Sequence, residues 1–100
     1  MMDRDLAEHS ADILKAVAHP IRLRIIELLK REEICVGDIV NELGEKQAIV
    51  SQQLNIMKNK EILACRREGA KVFYRIENKN VIKVLACVYD HCKAKKRSKR

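Results

Sequence analysis

The stretch REEICVGDIVNELGEKQAIVSQQLNIMKNKEIL, residues 31–63, decides the fold. Val36, Ile39, Val40 and Leu43 recur in it at helical spacing, Gly44 interrupts, and Ile49, Val50, Leu54 and Met57 resume the pattern. A glycine just past an apolar stripe is a common helix stop, because it takes a left-handed backbone without steric cost. Two short amphipathic helices joined by such a turn read as a helix-turn-helix.

Upstream, Pro20 suits the first position of a helix, where its missing N–H costs nothing. Ile21, Leu23, Ile25, Ile26, Leu28 and Leu29 make that helix apolar almost all round, so it belongs at the centre of the core. Before it, residues 5–18 carry a looser stripe of Leu6, Ile13, Leu14 and Val17 that stops at His19-Pro20. Downstream the period changes: β-branched and aromatic residues flank the charged turn Glu68-Gly69-Ala70-Lys71, which predicts a hairpin with strands over 62–67 and 71–76. From Asn80 to Lys96, Val81, Val84, Leu85, Val88 and Cys92 fall along one stripe and predict a final helix. The expected fold is mainly α with a β-hairpin wing, a winged helix-turn-helix over residues 1–92 followed by a basic tail, 93–100. The apolar stripe of the last helix exceeds what one small core covers, so the first and last helices are expected to build a homodimer.

Composition narrows the function classes. One hundred residues hold one core, which excludes most multi-domain enzymes. With 47% hydrophobic residues, three glycines and one proline, the chain is too apolar to be disordered and too poor in turn formers for a many-stranded β protein. The longest apolar run, Val84 to Tyr89, is six residues, against roughly 20 for a membrane span. The acidic start MMDRDLAEHSAD is no secretory signal, so a cytoplasmic protein with reduced thiols and no membrane partner is expected. No glycine-rich phosphate loop, nucleophile elbow or carboxylate pair suggests an enzyme.

The net charge of +7 is unevenly spread. Residues 1–45 carry six Lys/Arg against ten Asp/Glu, net −4, whereas residues 46–83 carry nine against three, net +6. A basic second half on a helix-turn-helix points to double-stranded DNA. On the second helix of the motif Ile49, Val50 and Leu54 face inward by spacing, which leaves Gln47, Ala48, Ser51, Gln52 and Asn55 outside. Glutamine can pair bidentately with adenine, and serine can serve a base or a phosphate. Lys46, Lys58 and Lys60 beside that helix, with Arg66, Arg67 and Lys71 on the hairpin, are the candidate phosphate contacts. Near the chain end Cys87 and His91 stand at i and i+4, a spacing that lets two side chains share a metal ion, and equally that of a plain surface pair.

Four blocks, HPIRLRIIELL, EICVGDIVNELG, VSQQL and RREGAKVFYRI, resemble in order and spacing the ArsR/SmtB family of small repressors, over roughly residues 10–92. The resemblance implies a homodimeric winged-helix repressor that leaves its operator when a metal or thiol-reactive inducer arrives. No obligatory cofactor is implied, and a thiophilic metal ion is the candidate inducer.

It also implies three places for a sensor. Cys35 and Asp38 match the CVGD block, where soft-metal sensors use the cysteine with ligands from a partner's N-terminal segment; here that segment offers His9, and Gly37 replaces the second cysteine of arsenic sensors. Zinc sensors place four ligands where this chain has Asn78, Asn80, His91 and Ala94, so His91 is the one retained, with Cys87 beside it. Sulfide or oxidant sensors pair a cysteine on the second helix with one near the chain end; Cys92 lies one position from the latter, but Glu27 occupies the former. A buried structural role fits Cys35 and Cys92 as well, and Cys65 is assigned none. At a helix start, Cys35 is expected to be more reactive than Cys92 on its apolar stripe. Two readings stay open, an inducible repressor and an inducer-free architectural DNA-binding protein.

Overall fold

A computed structural model of the chain describes residues 2–98. These form α1 (Arg4–Val17), α2 (Pro20–Leu29), β1 (Ile34–Cys35), α3 (Val36–Leu43), α4 (Gln47–Asn59), β2 (Leu63–Glu68), β3 (Lys71–Ile76) and α5 (Asn80–Ser98). Local chemistry sets most of these bounds. The Asp3 carboxylate accepts the Leu6 N–H at 2.7 Å and opens α1. Nδ1 of His19 accepts the Ile21 N–H at 3.1 Å, with Pro20 following it into α2. Gly44, at φ 67°, closes α3 in the left-handed region, its N–H bonded to the Val40 carbonyl at 3.0 Å.

α4 starts without a side-chain cap: Lys46 holds the cap position with no such bond, and Glu45 turns instead toward Arg24, 3.6 Å away. The helix ends through Glu61, at φ 59°, from which Ile62 donates back to the Met57 carbonyl at 3.0 Å. The hairpin forms in the register Leu63↔Ile76 to Glu68↔Lys71. A third strand joins it, β1, which pairs antiparallel with β3 so that the sheet order is β1-β3-β2. The helical and hairpin signals did not contain this strand, because two residues are too few to display a period.

The core is α2 against the helix-turn-helix and the base of the sheet: Ile25, Ile26, Ile39, Val50, Leu54, Met57, Ile62 and Leu63 are almost wholly buried. α5 departs from the single stripe expected of it. Val81 and Leu85 are buried, whereas Val84 (51%) and Val88 (49%) stay exposed, as does Cys92. Helix α5 continues through residues 93–98 of the segment read as a basic tail; Lys99 and Arg100 lie outside the described residues. Among the described residues no helix is long and apolar enough to cross a membrane.

Candidate nucleic-acid interface

Helix α4 has two chemically opposite sides. Val50, Leu54 and Met57 are fully buried, while Gln47, Ala48, Ser51, Gln52 and Asn55 are all exposed, as their spacing predicts. Below the start of α4, between α3 and the hairpin, lies an open cleft of about 580 Å³ whose lining includes Cys35, Asp38, Gln47, Ser51 and Lys71. Helix and hairpin thus present uncharged hydrogen-bonding groups and cations to the same side, with Lys46 and Lys58 also exposed.

The hairpin cations are not equivalent. Residues along a strand alternate faces, so Arg66 and Arg67 point opposite ways. Arg67 shares its face with Leu63 and Cys65, the core-facing side extended past the helices, and among the described residues it has no ion-pair partner. Arg66 lies on the outer face, over the Phe73 ring at 4.6 Å from its centroid. Its guanidinium holds Glu33 through Nη2 at 2.7 Å and Nε at 2.9 Å, and Glu68 through Nη1 at 2.5 Å. The hydrogen bonds to Glu33 and then Glu68 raise the pKa of Arg66, and Arg66 in turn lowers that of the Glu68 carboxyl. Arg66, expected as a phosphate contact, is held by these two carboxylates, because pairing of β1 and β2 across β3 brings Glu33 beside it. Lys60 is likewise engaged, with Asp12 at 2.8 Å.

The candidate sensor residues are scattered. Cys35 ends β1 at the N-cap of α3, only 8% exposed, while Asp38 in the next turn is exposed. Cys87 and His91 are exposed on α5, and by helical spacing they lie on the side that carries Val84 and Val88. Cys92 is exposed at a shallow pocket of about 330 Å³ between α2 and α5, with Leu23, Arg24, Glu27 and Tyr89. Of the two, Cys92 is thus the accessible thiol and Cys35 the covered one, where the sequence places Cys92 on a packed stripe. Among the described residues no three His, Cys, Asp or Glu side chains gather closely enough to hold a metal ion.

One buried polar side chain lies outside the sequence reading. Gln53 is a buried polar side chain, 7% exposed, whose Oε1 accepts from Nε of Arg22 at 2.6 Å. Its place three residues after Val50 and four before Met57, on the apolar stripe of α4, was the available signal. The stripes expected to assemble a homodimer leave an exposed apolar face on α1 and α5, where Leu6 (52%) and Leu14 (54%) join Val84 and Val88. A groove of about 430 Å³ between the two helices, lined by Ile13, Leu14, Val17, Val81 and Val84, continues it.

Comparison with known proteins places these features in a wider set. Residues 19–64 match the family model described as bacterial regulatory protein, arsR family. A transcriptional repressor SmtB homolog from Synechocystis is 33% identical over 91 residues, covering 91% of this chain and 69% of that protein. Among solved structures, the homodimeric winged helix-turn-helix DNA-binding domain of a possible ArsR-family regulator from Mycobacterium bovis superposes with a TM-score of 0.79 at 30% identity, covering 93% of this chain and 88% of that one. The antimony-specific transcriptional repressor AntR superposes with a TM-score of 0.88 at 26% identity, covering 97% and 88%.

Proposed function

The chain belongs to the arsR family of bacterial regulatory proteins, and on that premise we propose that it is a homodimeric, sequence-specific DNA-binding repressor released from its operator by a soft metal ion or a thiol-reactive compound. The observation that carries the DNA reading is the outer face of α4, five exposed residues without a charge, flanked by cations on both the helix and the wing. Uncharged amides and hydroxyls suit base edges, whereas flanking lysines and arginines suit phosphates. Gln47, Ser51, Gln52 and Asn55 are assigned to the major groove with Ala48 as apolar contact; Lys46, Lys58, Arg67 and Lys71 are assigned to phosphates. Arg66 positions the wing.

The dimer reading rests on the apolar face of α1 and α5. Leu6, Leu14, Val84 and Val88, each about half exposed, form an apolar surface that favours burial against a second copy. Support for a thiophilic inducer comes from the exposed thiols of Cys87 and Cys92, from His91 beside Cys87, and from similarity to a repressor specific for antimony. Cys87 and His91 from two protomers supply two sulfurs and two nitrogens, a donor set that suits Zn²⁺, Cd²⁺ or Cu⁺. The buried Cys35 and the absence of a three-ligand cluster among the described residues favour the second reading, an architectural DNA-binding protein with no inducer.

Equilibrium DNA binding with and without Zn²⁺, Cd²⁺, Cu⁺, As³⁺ and polysulfide separates the two. The repressor reading expects at least one of these to lower operator affinity by about tenfold or more, a coupling of about 1.4 kcal/mol. Unchanged affinity across the panel would leave the architectural reading.

A further inference from the structure

We propose that Arg22 is a positioning residue for DNA reading, which together with Gln53 sets where α4 sits relative to the dimer-forming helix α1, and so which half-site separation the dimer accepts. The inference rests on the dimeric DNA-reading function proposed above.

Arg22 lies in the first turn of α2, half-buried between two helices that do different jobs. Its Nη1 donates to the Lys15 and Ala16 carbonyls, both at 3.3 Å. These belong to the last turn of α1, where the Lys15 carbonyl also accepts from the Ala18 N–H at 3.3 Å and the helix dipole favours a cation. Its Nε donates to Gln53 Oε1 at 2.6 Å, on the inward side of α4. One planar group therefore holds acceptors on both helices in fixed relative directions, which a lysine ammonium, a single rotatable point, does not do. Gln53 is the one buried polar or charged side chain among the described residues, and a buried amide stays where its partner is. It also sits directly between the groove-facing Gln52 and the core residue Leu54, so its anchoring fixes the rotation of the reading face.

Among the described residues the other polar tie between α1 and the end of α4 is the exposed pair Asp12–Lys60 at 2.8 Å, which solvent screens and which leaves Arg22 as the inner joint. In a two-fold dimer, a tilt of α4 against α1 moves both reading heads, and the two displacements add in the distance between them. Helix-turn-helix dimers meet half-sites about 34 Å apart, and that distance is set by protein geometry. Loosening the joint should then relax the choice of spacing and leave the grip on a single half-site alone.

The test uses the full chain and an operator that the unaltered protein selects from random duplex DNA, remade with the half-site separation lengthened or shortened by one base pair. Affinities for this series are measured for the parent, Arg22→Lys, Gln53→Leu and Gln53→Glu, with sedimentation confirming the dimer. The parent should prefer its own spacing by about tenfold, Arg22→Lys and Gln53→Leu should reduce that preference to about threefold or less, and Gln53→Glu, which keeps an acceptor, should retain it. If Arg22→Lys does not fold, the two Gln53 variants decide. A full parental spacing preference in dimeric Gln53→Leu would overturn the proposal, and so would an equal loss in Gln53→Leu and Gln53→Glu. A parent that selects no sequence at all would instead remove the DNA-reading function beneath it.

Discussion

The outer faces of α4 and α5 are both exposed, yet they differ in chemistry. On α4 the exposed positions include Gln47, Ala48, Ser51, Gln52 and Asn55; on α5 they include Val84 and Val88, about half exposed, with Leu14 of α1 alongside. Amides and hydroxyls lose little by remaining in water and gain directional bonds only from a surface with matching donors and acceptors, which a base edge provides. Valines gain from any surface that excludes water, at about 25 cal/mol per Å² buried. Exposure alone therefore says little about a partner; the chemistry of what is exposed distinguishes a reading face from an assembly face.

The largest expected effect comes from spoiling the apolar face. Val84→Glu combined with Val88→Glu should give a monomer by sedimentation and weaken operator binding by about 100-fold or more, because linked half-site contacts become independent ones. A dimer that survives both charges would show that this face assembles nothing. On the polar face, Gln52→Ala should cost about 1–3 kcal/mol of discrimination between operator and random duplex, with no change in dimer mass. Equal discrimination in parent and variant would move the reading residues elsewhere on α4.

Thiol variants sharpen the contrast from the sensor side. Cys87→Ser and Cys92→Ser, both at exposed positions, should blunt release by soft metals or oxidants, requiring about tenfold more inducer, whereas Cys35→Ser at a buried position should respond like the parent. Release curves against Cd²⁺ and polysulfide for the three variants check the order. A smaller effect separates the wing arginines: Arg67→Ala should lower the slope of log affinity against log salt by about 0.9, the contribution of one phosphate contact, while Arg66→Ala should leave the slope unchanged. The smallest effect is in acid. Lys60 holds the Asp12 carboxyl below its ordinary value of 3.8, first through their hydrogen bond and then through charge. A depressed carboxylate stabilises the fold above its unfolded pKa and loses that contribution as pH falls through its folded one. The melting difference between the parent and Asp12→Asn should therefore be constant near neutrality and shrink as pH falls below the carboxyl's ordinary value of 3.8.

Much of this was legible in the sequence because the determining signals were local. Pro20, Gly44 and Gly69 mark boundaries by backbone chemistry, and the change from helical to alternating spacing after Met57 announces the hairpin. The outward residues of α4 followed from spacing alone. What the sequence withheld depends on contacts between distant segments. Strand β1 exists only by pairing with β3, and that pairing delivers Glu33 to Arg66, 33 residues away, which takes the arginine out of the set of free cations. The Arg22–Gln53 bond spans 31 residues, and although the spacing from Val50 to Met57 puts Gln53 on the buried side, nothing local supplies its partner. Cys35 looks like an open helix start in sequence, and the sheet closes over it.

The central claim is that two copies of this chain read one duplex through the outer faces of α4. Sedimentation equilibrium of a labelled operator duplex, selected by the protein itself, tests it most directly, with a random duplex of equal length as the control. Two protomers per operator, at concentrations that leave the random duplex free, is the predicted result. A single protomer per duplex, or equal occupancy of both duplexes, would contradict it.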